Sequence, residues 1–283
     1  MITAKTKILG LIGYPATYSL SPIMHNAAFK QLGLDYVYLV FPAESNDLRK
    51  AMEGLKAIKF AGANVTIPYK EVIMDYLDEI SKEARLIGAV NTIKNIEGKL
   101  YGYNTDGFGF IESLKKQIGI FLKGKKVFML GAGGAAKAVA LSLALEEVSE
   151  IVIVDKFKKK AMDLSDYLEK NIDCKSVAIR IEDVKIGKKI SNADIIVNAT
   201  PVGMKKEDPL LIDVKYLRED QIIYDLIYTP QETLLLKEAR RLKLKAINGL
   251  EMLLYQGAKS FNIWTERDAP IEIMRKALSK ELE

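Results

Sequence analysis

The chain has 283 residues, 49% hydrophobic and 28% charged, more than one core usually holds, so two domains of a water-soluble globular protein are expected. Forty-two basic against thirty-seven acidic residues give a net charge of +5 without a basic arm, and nucleic acid is not implied. One cysteine, Cys174, and one histidine, His25, exclude an intrachain disulfide and a structural zinc site, leaving acid/base work beyond His25 to Lys, Asp, Glu or Tyr.

From the start, short apolar runs alternate with amphipathic segments: KILGLIG (7 to 13), a helical SPIMHNAAFKQLG (21 to 33), YVYLVF (36 to 41), LRKAMEGLKAI (48 to 58) and AGANVT (61 to 66). This βαβαβ order predicts a largely parallel sheet covered by helices. Across 88 to 105 two short strands flank Glu97-Gly98, which reads as a hairpin. From GKKVFML onward an apolar strand, a glycine turn and an alanine-rich helix open a second domain, continued by EIVIVD (150 to 155), SVAIRI (176 to 181), ADIIVNAT (193 to 200), QIIYDLIY (221 to 228) and LKAIN (244 to 248). Two helices close the chain, broken near Asp268-Ala269-Pro270. No run approaches the ~18 uncharged apolar residues of a membrane span, and the start MITAKTKILG lacks a signal peptide's apolar core, so a cytoplasmic protein with no membrane partner is expected.

Gly131-Ala132-Gly133-Gly134-Ala135-Ala136 follows an apolar strand and opens a helix, the context of a dinucleotide fingerprint. Gly131 permits the tight turn, Gly133 lets backbone reach a pyrophosphate, Ala136 packs closely, and the helix start offers free N–H groups. Asp155 ends the next strand, where a carboxylate would receive the ribose hydroxyls of NAD. Lys156, Lys158, Lys159 and Lys160 follow at once, crowding cations against the positive end of a helix, and the 2′-phosphate of NADP would relieve them. The two signals oppose each other, and a solvated lysine face is the plain alternative.

Ser19 and Ser21, in Tyr18-Ser19-Leu20-Ser21-Pro22, precede a helix with Pro22 in its first turn, so one serine can be the cap. Two hydroxyls two residues apart can also hold a carboxylate; composition alone favours the cap. In Asn64-Val65-Thr66-Ile67-Pro68-Tyr69-Lys70 the proline ends a strand and Lys70 is expected to begin a helix. A lone lysine is usually a solvated charge, yet one held beside Asp106 could share a proton with an alcohol.

The set SLSP (19 to 22), NVTIPYK (64 to 70), GAVNT (88 to 92), NTDGFG (104 to 109), GAGGAA (131 to 136), NATPVGM (198 to 204) and LLYQGAKSF (253 to 261) resembles, in order and spacing over nearly the whole chain, the NADP-dependent shikimate dehydrogenase (shikimate 5-dehydrogenase) family. That resemblance implies a two-domain α/β protein: a substrate-binding and catalytic domain from 1 to 106 and 250 to 283, and a Rossmann-like dinucleotide domain with a parallel sheet from 107 to 249. It implies reversible reduction of 3-dehydroshikimate to shikimate with NADPH, on the route to chorismate and the aromatic amino acids. It makes Lys70 and Asp106 the catalytic pair. Ser19 and Ser21 then bind the substrate carboxylate, Asn64, Thr66, Asn91, Asp106 and Gln256 its ring hydroxyls, and Tyr228 lies near the carboxylate. Cofactor contacts fall on Gly131, Ala132, Gly133, Gly134, Ala135, Asp155, Lys156 and Lys160, with Thr200, Val202, Gly249 and Met252 lining the nicotinamide. Where the family usually carries Asn-Arg-Thr and a further Arg, this chain has Asp155-Lys156-Phe157 and Lys160, so an NAD-using quinate/shikimate dehydrogenase stays open. A dinucleotide sensor without turnover is the reading from another class, and retention of both Lys70 and Asp106 argues against it. His25 receives a packing or capping role, and a homodimer is left open.

Overall fold

The computed structural model describes residues 2 to 282. It divides into two compact units, Met1–Gly109 with Leu253–Glu283, and Phe110–Met252.

In the first unit, β1 (Lys7–Gly13), α1 (Ser21–Gln31), β2 (Tyr36–Pro42), α2 (Leu48–Ala57) and β3 (Gly62–Val65) form the expected alternation, with β1 parallel to both β2 and β3. From Leu9 onward every β1 residue is buried, as a central parallel strand covered on both faces requires. Then come β4 (Glu79–Ile80), α3 (Lys82–Ile87), β5 (Thr92–Ile96) and β6 (Lys99–Tyr103), giving a sheet of order β2-β1-β3-β5-β6-β4. The hairpin forms where expected: β5 and β6 are antiparallel, and Glu97 and Gly98 both take positive φ, 51° and 89°, as a two-residue turn matching strand twist demands. The core on one side of this sheet gathers Ile12, Met52, Phe60, Val65, Tyr69 and Ile93.

One expectation fails here. Lys70 does not begin an α-helix; the chain makes a turn and then a short 3-10 helix, Val72–Tyr76. The Lys70 carbonyl instead accepts the Val90 N–H at 2.7 Å, a long-range bond that takes the place of the first bond of a helical ladder.

α4 (Asp106–Ile118) leads to the second unit, where β7 (Lys126–Leu130), α5 (Gly134–Leu145), β8 (Glu150–Val154), α6 (Lys158–Ile172), β9 (Ser176–Ile179), α7 (Ile186–Asn192), β10 (Ile195–Asn198), β11 (Ile222–Asp225), α8 (Leu234–Arg241) and β12 (Lys245–Ile247) build an all-parallel sheet of order β12-β11-β10-β7-β8-β9. Its inner strands β7, β8, β10 and β11 are buried apolar runs, and the strand order reverses beside β7, which puts the β7–α5 turn at the switch point where nucleotide ligands bind such sheets. The chain ends in α9 (Leu250–Thr265) and α10 (Ile271–Leu282), and α10 packs on α1. No helix among the described residues is long and apolar enough to cross a membrane.

Candidate active site and dinucleotide loop

Lys70 leaves the β3 turn next to Tyr69, whose ring is buried and whose hydroxyl donates to the Ala43 carbonyl at 2.6 Å. With Tyr69 anchored and its own carbonyl held by Val90, Lys70 is left little backbone freedom. Its ammonium donates to Asp106 Oδ2 at 2.5 Å, with the two side chains 16% and 7% exposed. Asp106 is the first residue of α4, where the helix dipole favours a carboxylate, and its other oxygen accepts Asn91 Nδ2 at 2.8 Å. Lys70 therefore keeps two further N–H donors for an incoming oxygen, while Asp106 orients it.

Around the pair lies a buried lattice of amides and hydroxyls. Asn91 Oδ1 accepts the Thr105 N–H at 2.8 Å, so its amino group must face Asp106. Asn64, on β3, donates to the Asn91 carbonyl at 3.0 Å and to Thr92 and Ser260 hydroxyls at 3.1 Å, while its Oδ1 accepts the Tyr38 hydroxyl at 2.8 Å. Gln256, on α9, reaches Asn91 and Thr105 through Oε1 at 3.4 Å. Lys70, Asn64, Asn91, Asp106 and Gln256 are thus brought together from four separate segments. Tyr38, Thr92, Thr105 and Ser260 belong to the same lattice and were missed; Thr92 and Thr105 lie inside the GAVNT and NTD motifs, but a tyrosine in an apolar strand and a serine in a helix give no local signal. Thr66 is half-buried at the end of β3, its methyl so close to Gly13 that a β-carbon there would sit 2.3 Å from it.

The serine pair departs from the simple cap. Leu20 occupies the cap position of α1 without a side-chain bond; Ser19 Oγ accepts the Ser21 N–H at 3.2 Å from one residue further out. Ser21 is the first helical residue and is buried, while the Tyr38 hydroxyl donates to Asn64. His25 takes the packing role and not the capping one. It is fully buried, stacked on the Tyr38 ring at 4.6 Å and edge-on to Trp264 at 5.2 Å. Neither ring nitrogen has a partner among the described residues, and burial drives its pKa down from 6.5 to about 3.

In the second unit, Gly131 has φ 104°, and a β-carbon there would lie 2.7 Å from the Ala199 carbonyl oxygen, so only glycine fits. Gly133 caps α5 without any side-chain bond, is exposed, and a β-carbon on it would meet nothing within 4 Å. The space beside Gly133, where the first turn of α5 begins, is therefore open, as close approach of a pyrophosphate to the helix start needs. Ala136 is fully buried, as close packing of the helix start requires. Asp155 does not point outward: Oδ2 accepts the Ala132 N–H at 2.9 Å and Oδ1 the Phe157 N–H at 2.8 Å. Lys156 and Lys160 sit over the exposed Phe157 ring, 4.9 and 5.5 Å from its centre, with no carboxylate partner among the described residues. These residues suit a dinucleotide bearing a 2′-phosphate.

Thr200 donates to Asn198 Oδ1 at 2.7 Å and accepts the Val202 N–H at 3.2 Å, tying both nicotinamide-lining candidates to one buried amide. Asn198 in turn donates to Asp225, which also accepts from Thr233 at 2.7 Å; burial raises the Asp225 carboxyl, and these donors lower it. Gly249 is packed so that a β-carbon would fall 2.0 Å from the Leu226 carbonyl oxygen, and Met252 is buried. Tyr228 is half-buried, its phenol raised by burial. No cluster that could hold a metal ion occurs among the described residues.

Three family models match the chain: the shikimate dehydrogenase substrate binding domain over residues 11–93, shikimate / quinate 5-dehydrogenase over 112–207, and the shikimate 5′-dehydrogenase C-terminal domain over 249–278. The chain is 44% identical to a shikimate dehydrogenase (NADP(+)) of Methanopyrus kandleri over 99% of its length and 98% of the relative's. It is 47% identical to that of Methanocaldococcus jannaschii over 98% of each. A crystal structure of a shikimate dehydrogenase in complex with NADP+ superposes with a TM-score of 0.92 at 46% identity, covering 100% of this chain and 98% of the other. The chain belongs to the shikimate dehydrogenase family.

Proposed function

We propose that this protein is an NADP-dependent shikimate dehydrogenase, an oxidoreductase that reversibly reduces 3-dehydroshikimate to shikimate in aromatic amino acid biosynthesis. The observation that carries the reading is the Lys70–Asp106 contact of 2.5 Å inside a lattice of polar side chains suited to a polyhydroxylated ring. When bound, the nicotinamide supplies or accepts the hydride. The chain's own residues do the rest. Ser19 and Ser21 present hydroxyls to the substrate carboxylate, and Asn64, Thr66, Asn91 and Gln256 orient the ring hydroxyls. As the ketone oxygen gains negative charge, the Lys70 ammonium stabilises it, and the Lys70–Asp106 pair delivers one proton, leaving the alcohol. The reverse reaction returns that proton to the pair. The α5 amides and the Lys156–Lys160 cluster hold the cofactor phosphates. With Asp155 bonded to two backbone amides, the feature that favoured NAD loses its force. The reading is of a cytoplasmic enzyme acting on a small molecule.

Nicotinamide absorbance with shikimate or quinate, each crossed against NADP and NAD, tests this. Turnover should be highest with shikimate and NADP. Preference for quinate with NAD would replace the reading, and absence of turnover with every pair would overturn it in favour of a sensor.

A further inference from the structure

Ser260 lies at the centre of the hydroxyl lattice without being one of the residues assigned to the substrate. It is fully buried on α9, one turn after Gln256. Its Oγ is 3.0 Å from the Gln256 carbonyl oxygen, 3.1 Å from Asn64 Nδ2, 2.8 Å from Thr92 Oγ1 and 3.1 Å from Thr105 Oγ1. A serine hydroxyl has one proton and two lone pairs. The Gln256 carbonyl can only accept, whereas the Thr92 and Thr105 hydroxyls can each donate or accept; with the Ser260 proton given to Gln256, the oxygen is left to accept from the other side.

The consequences run outward along two chains. Asn64 Nδ2 carries two protons for three acceptors within reach: the Asn91 carbonyl at 3.0 Å, Thr92 Oγ1 at 3.1 Å and Ser260 Oγ at 3.1 Å. With Ser260 accepting, the amino face of Asn64 is held toward β5 and α9, and its carbonyl oxygen toward Tyr38. An amide turned the other way would set Asn64 Oδ1 against the Asn91 carbonyl and remove the acceptor of the Tyr38 hydroxyl. The second chain passes through the threonines. Thr92 can give its proton to Ser260 at 2.8 Å or to Asn91 Oδ1 at 2.9 Å, and Thr105 to Ser260 at 3.1 Å, Asn91 Oδ1 at 3.2 Å or Gln256 Oε1 at 3.4 Å. A lone pair on Ser260 lets one threonine point away from Asn91, so that Asn91 Oδ1 is not crowded by two hydroxyls as well as by the Thr105 N–H. Asn91 is the amide that orients Asp106.

We propose that Ser260 is a positioning residue for substrate recognition: by accepting from Asn64 and from a threonine it locks the Asn64 amide in the sense that the Asn91 carbonyl and Tyr38 favour and keeps the Asn91 oxygen uncrowded, and so tunes the affinity and hydroxyl selectivity for the ring acid, without touching it. This rests on the shikimate dehydrogenase reading. Alternatives elsewhere in the lattice lack this property, since Thr92 and Thr105 both have a second acceptor and Gln256 reaches its partners only at 3.4 Å.

The test uses the full chain with NADP. Wild-type turnover of shikimate is measured first, so that failure of the enzymatic reading is seen before any variant is judged. Ser260→Ala removes a single oxygen, and Ser260→Cys keeps the volume while substituting a poor acceptor; melting curves confirm that each is folded at the assay temperature. Both should raise the KM for shikimate roughly two- to ten-fold, the effect of one net hydrogen bond, with kcat changed by less than about twofold and NADP affinity unchanged. The preference for shikimate over ring acids lacking one hydroxyl should shrink by a similar factor. Ser260→Thr, which restores the hydroxyl, should recover the preference if it folds. A folded Ser260→Ala or Ser260→Cys enzyme with wild-type KM and hydroxyl preference overturns the proposal. So does a loss confined to kcat, which would place the effect on the Lys70–Asp106 pair.

Discussion

Removing the Lys70 ammonium is the sharpest perturbation of this site. It lies 2.5 Å from a carboxylate that is 7% exposed, so Lys70→Ala deletes both the donor aimed at the substrate oxygen and the counter-charge of Asp106. A positioned acid or base contributes roughly 10²- to 10⁴-fold, and that is the expected fall in kcat. Asp106 keeps its bond to Asn91, and at 16% exposure the vacated Lys70 side is within reach of water, so the stability cost should stay near about 1 to 3 kcal/mol. Shikimate binding, followed by titration calorimetry with NADP present, should change far less than turnover because the hydroxyl lattice and the serines remain. Asp106→Asn should lose activity on the same scale, and the double variant little more than either single one, since the two side chains act as one unit. A folded Lys70→Ala enzyme turning over within about threefold of wild type at saturation would refute the assignment, and additive losses would refute the coupling.

Alanine at both Ser19 and Ser21 should raise the KM for shikimate with only a small drop in melting temperature, because neither serine occupies the α1 cap position; unchanged saturation would remove the carboxylate anchor. His25 is neutral when folded, with a pKa near 3 against 6.5 for the free side chain, so between those values the unfolded chain binds the extra proton. Stability should therefore rise with pH by roughly 1.4 kcal/mol per unit up to pH 6.5, where this contribution levels off, and His25→Phe should abolish that slope in urea melts; an unaltered slope would locate it elsewhere. Gly131→Ala places a β-carbon 2.7 Å from the Ala199 carbonyl at φ 104°, and should weaken nucleotide binding and lower the melting temperature together. Lys156→Ala with Lys160→Ala should weaken NADP by about ten- to a hundred-fold per charged contact and leave NAD nearly untouched, whereas equal losses would show only a general charge effect. Asp155→Ala should weaken both cofactors alike, and a selective gain in NADP affinity would mean that the carboxylate faces the ribose.

Much of the architecture could be read from the chain because its strands are uniform apolar runs punctuated by glycine, and the hairpin because Glu97-Gly98 suits the turn its strands need. The fingerprint was legible for a similar reason, since Gly131 has neither room for a side chain nor an ordinary φ. Lys70 and Asp106, 36 positions apart, could be paired only through the resemblance. What stayed hidden depends on contacts between distant segments. Whether Lys70 starts a helix is decided by Val90, which offers its N–H to the Lys70 carbonyl. Which serine caps α1 is decided by the exact start of the helix, which falls at Ser21, one residue after a Ser19 cap and one before a Ser21 cap would begin it. Ser260 has no local mark at all, and its importance comes from Asn64, Thr92 and Thr105 converging on it.

Asp155 shows why residue type at a fingerprint position underdetermines cofactor choice. A carboxylate at the end of β8 is costly to bury unpaired, and it finds two N–H donors within the protein, Ala132 from the glycine loop and Phe157 from the start of α6. Those bonds lace the two loops proposed to hold the dinucleotide and spread the negative charge into the backbone. The Lys156 and Lys160 cations gain nothing comparable: they rest on the Phe157 ring, with no carboxylate among the described residues within salt-bridge distance, at the helix end that already carries positive potential. An anion is the one ligand that improves this arrangement. The same sequence segment thus holds an acidic residue satisfied internally and basic residues that are not, and the unsatisfied charge decides for NADP.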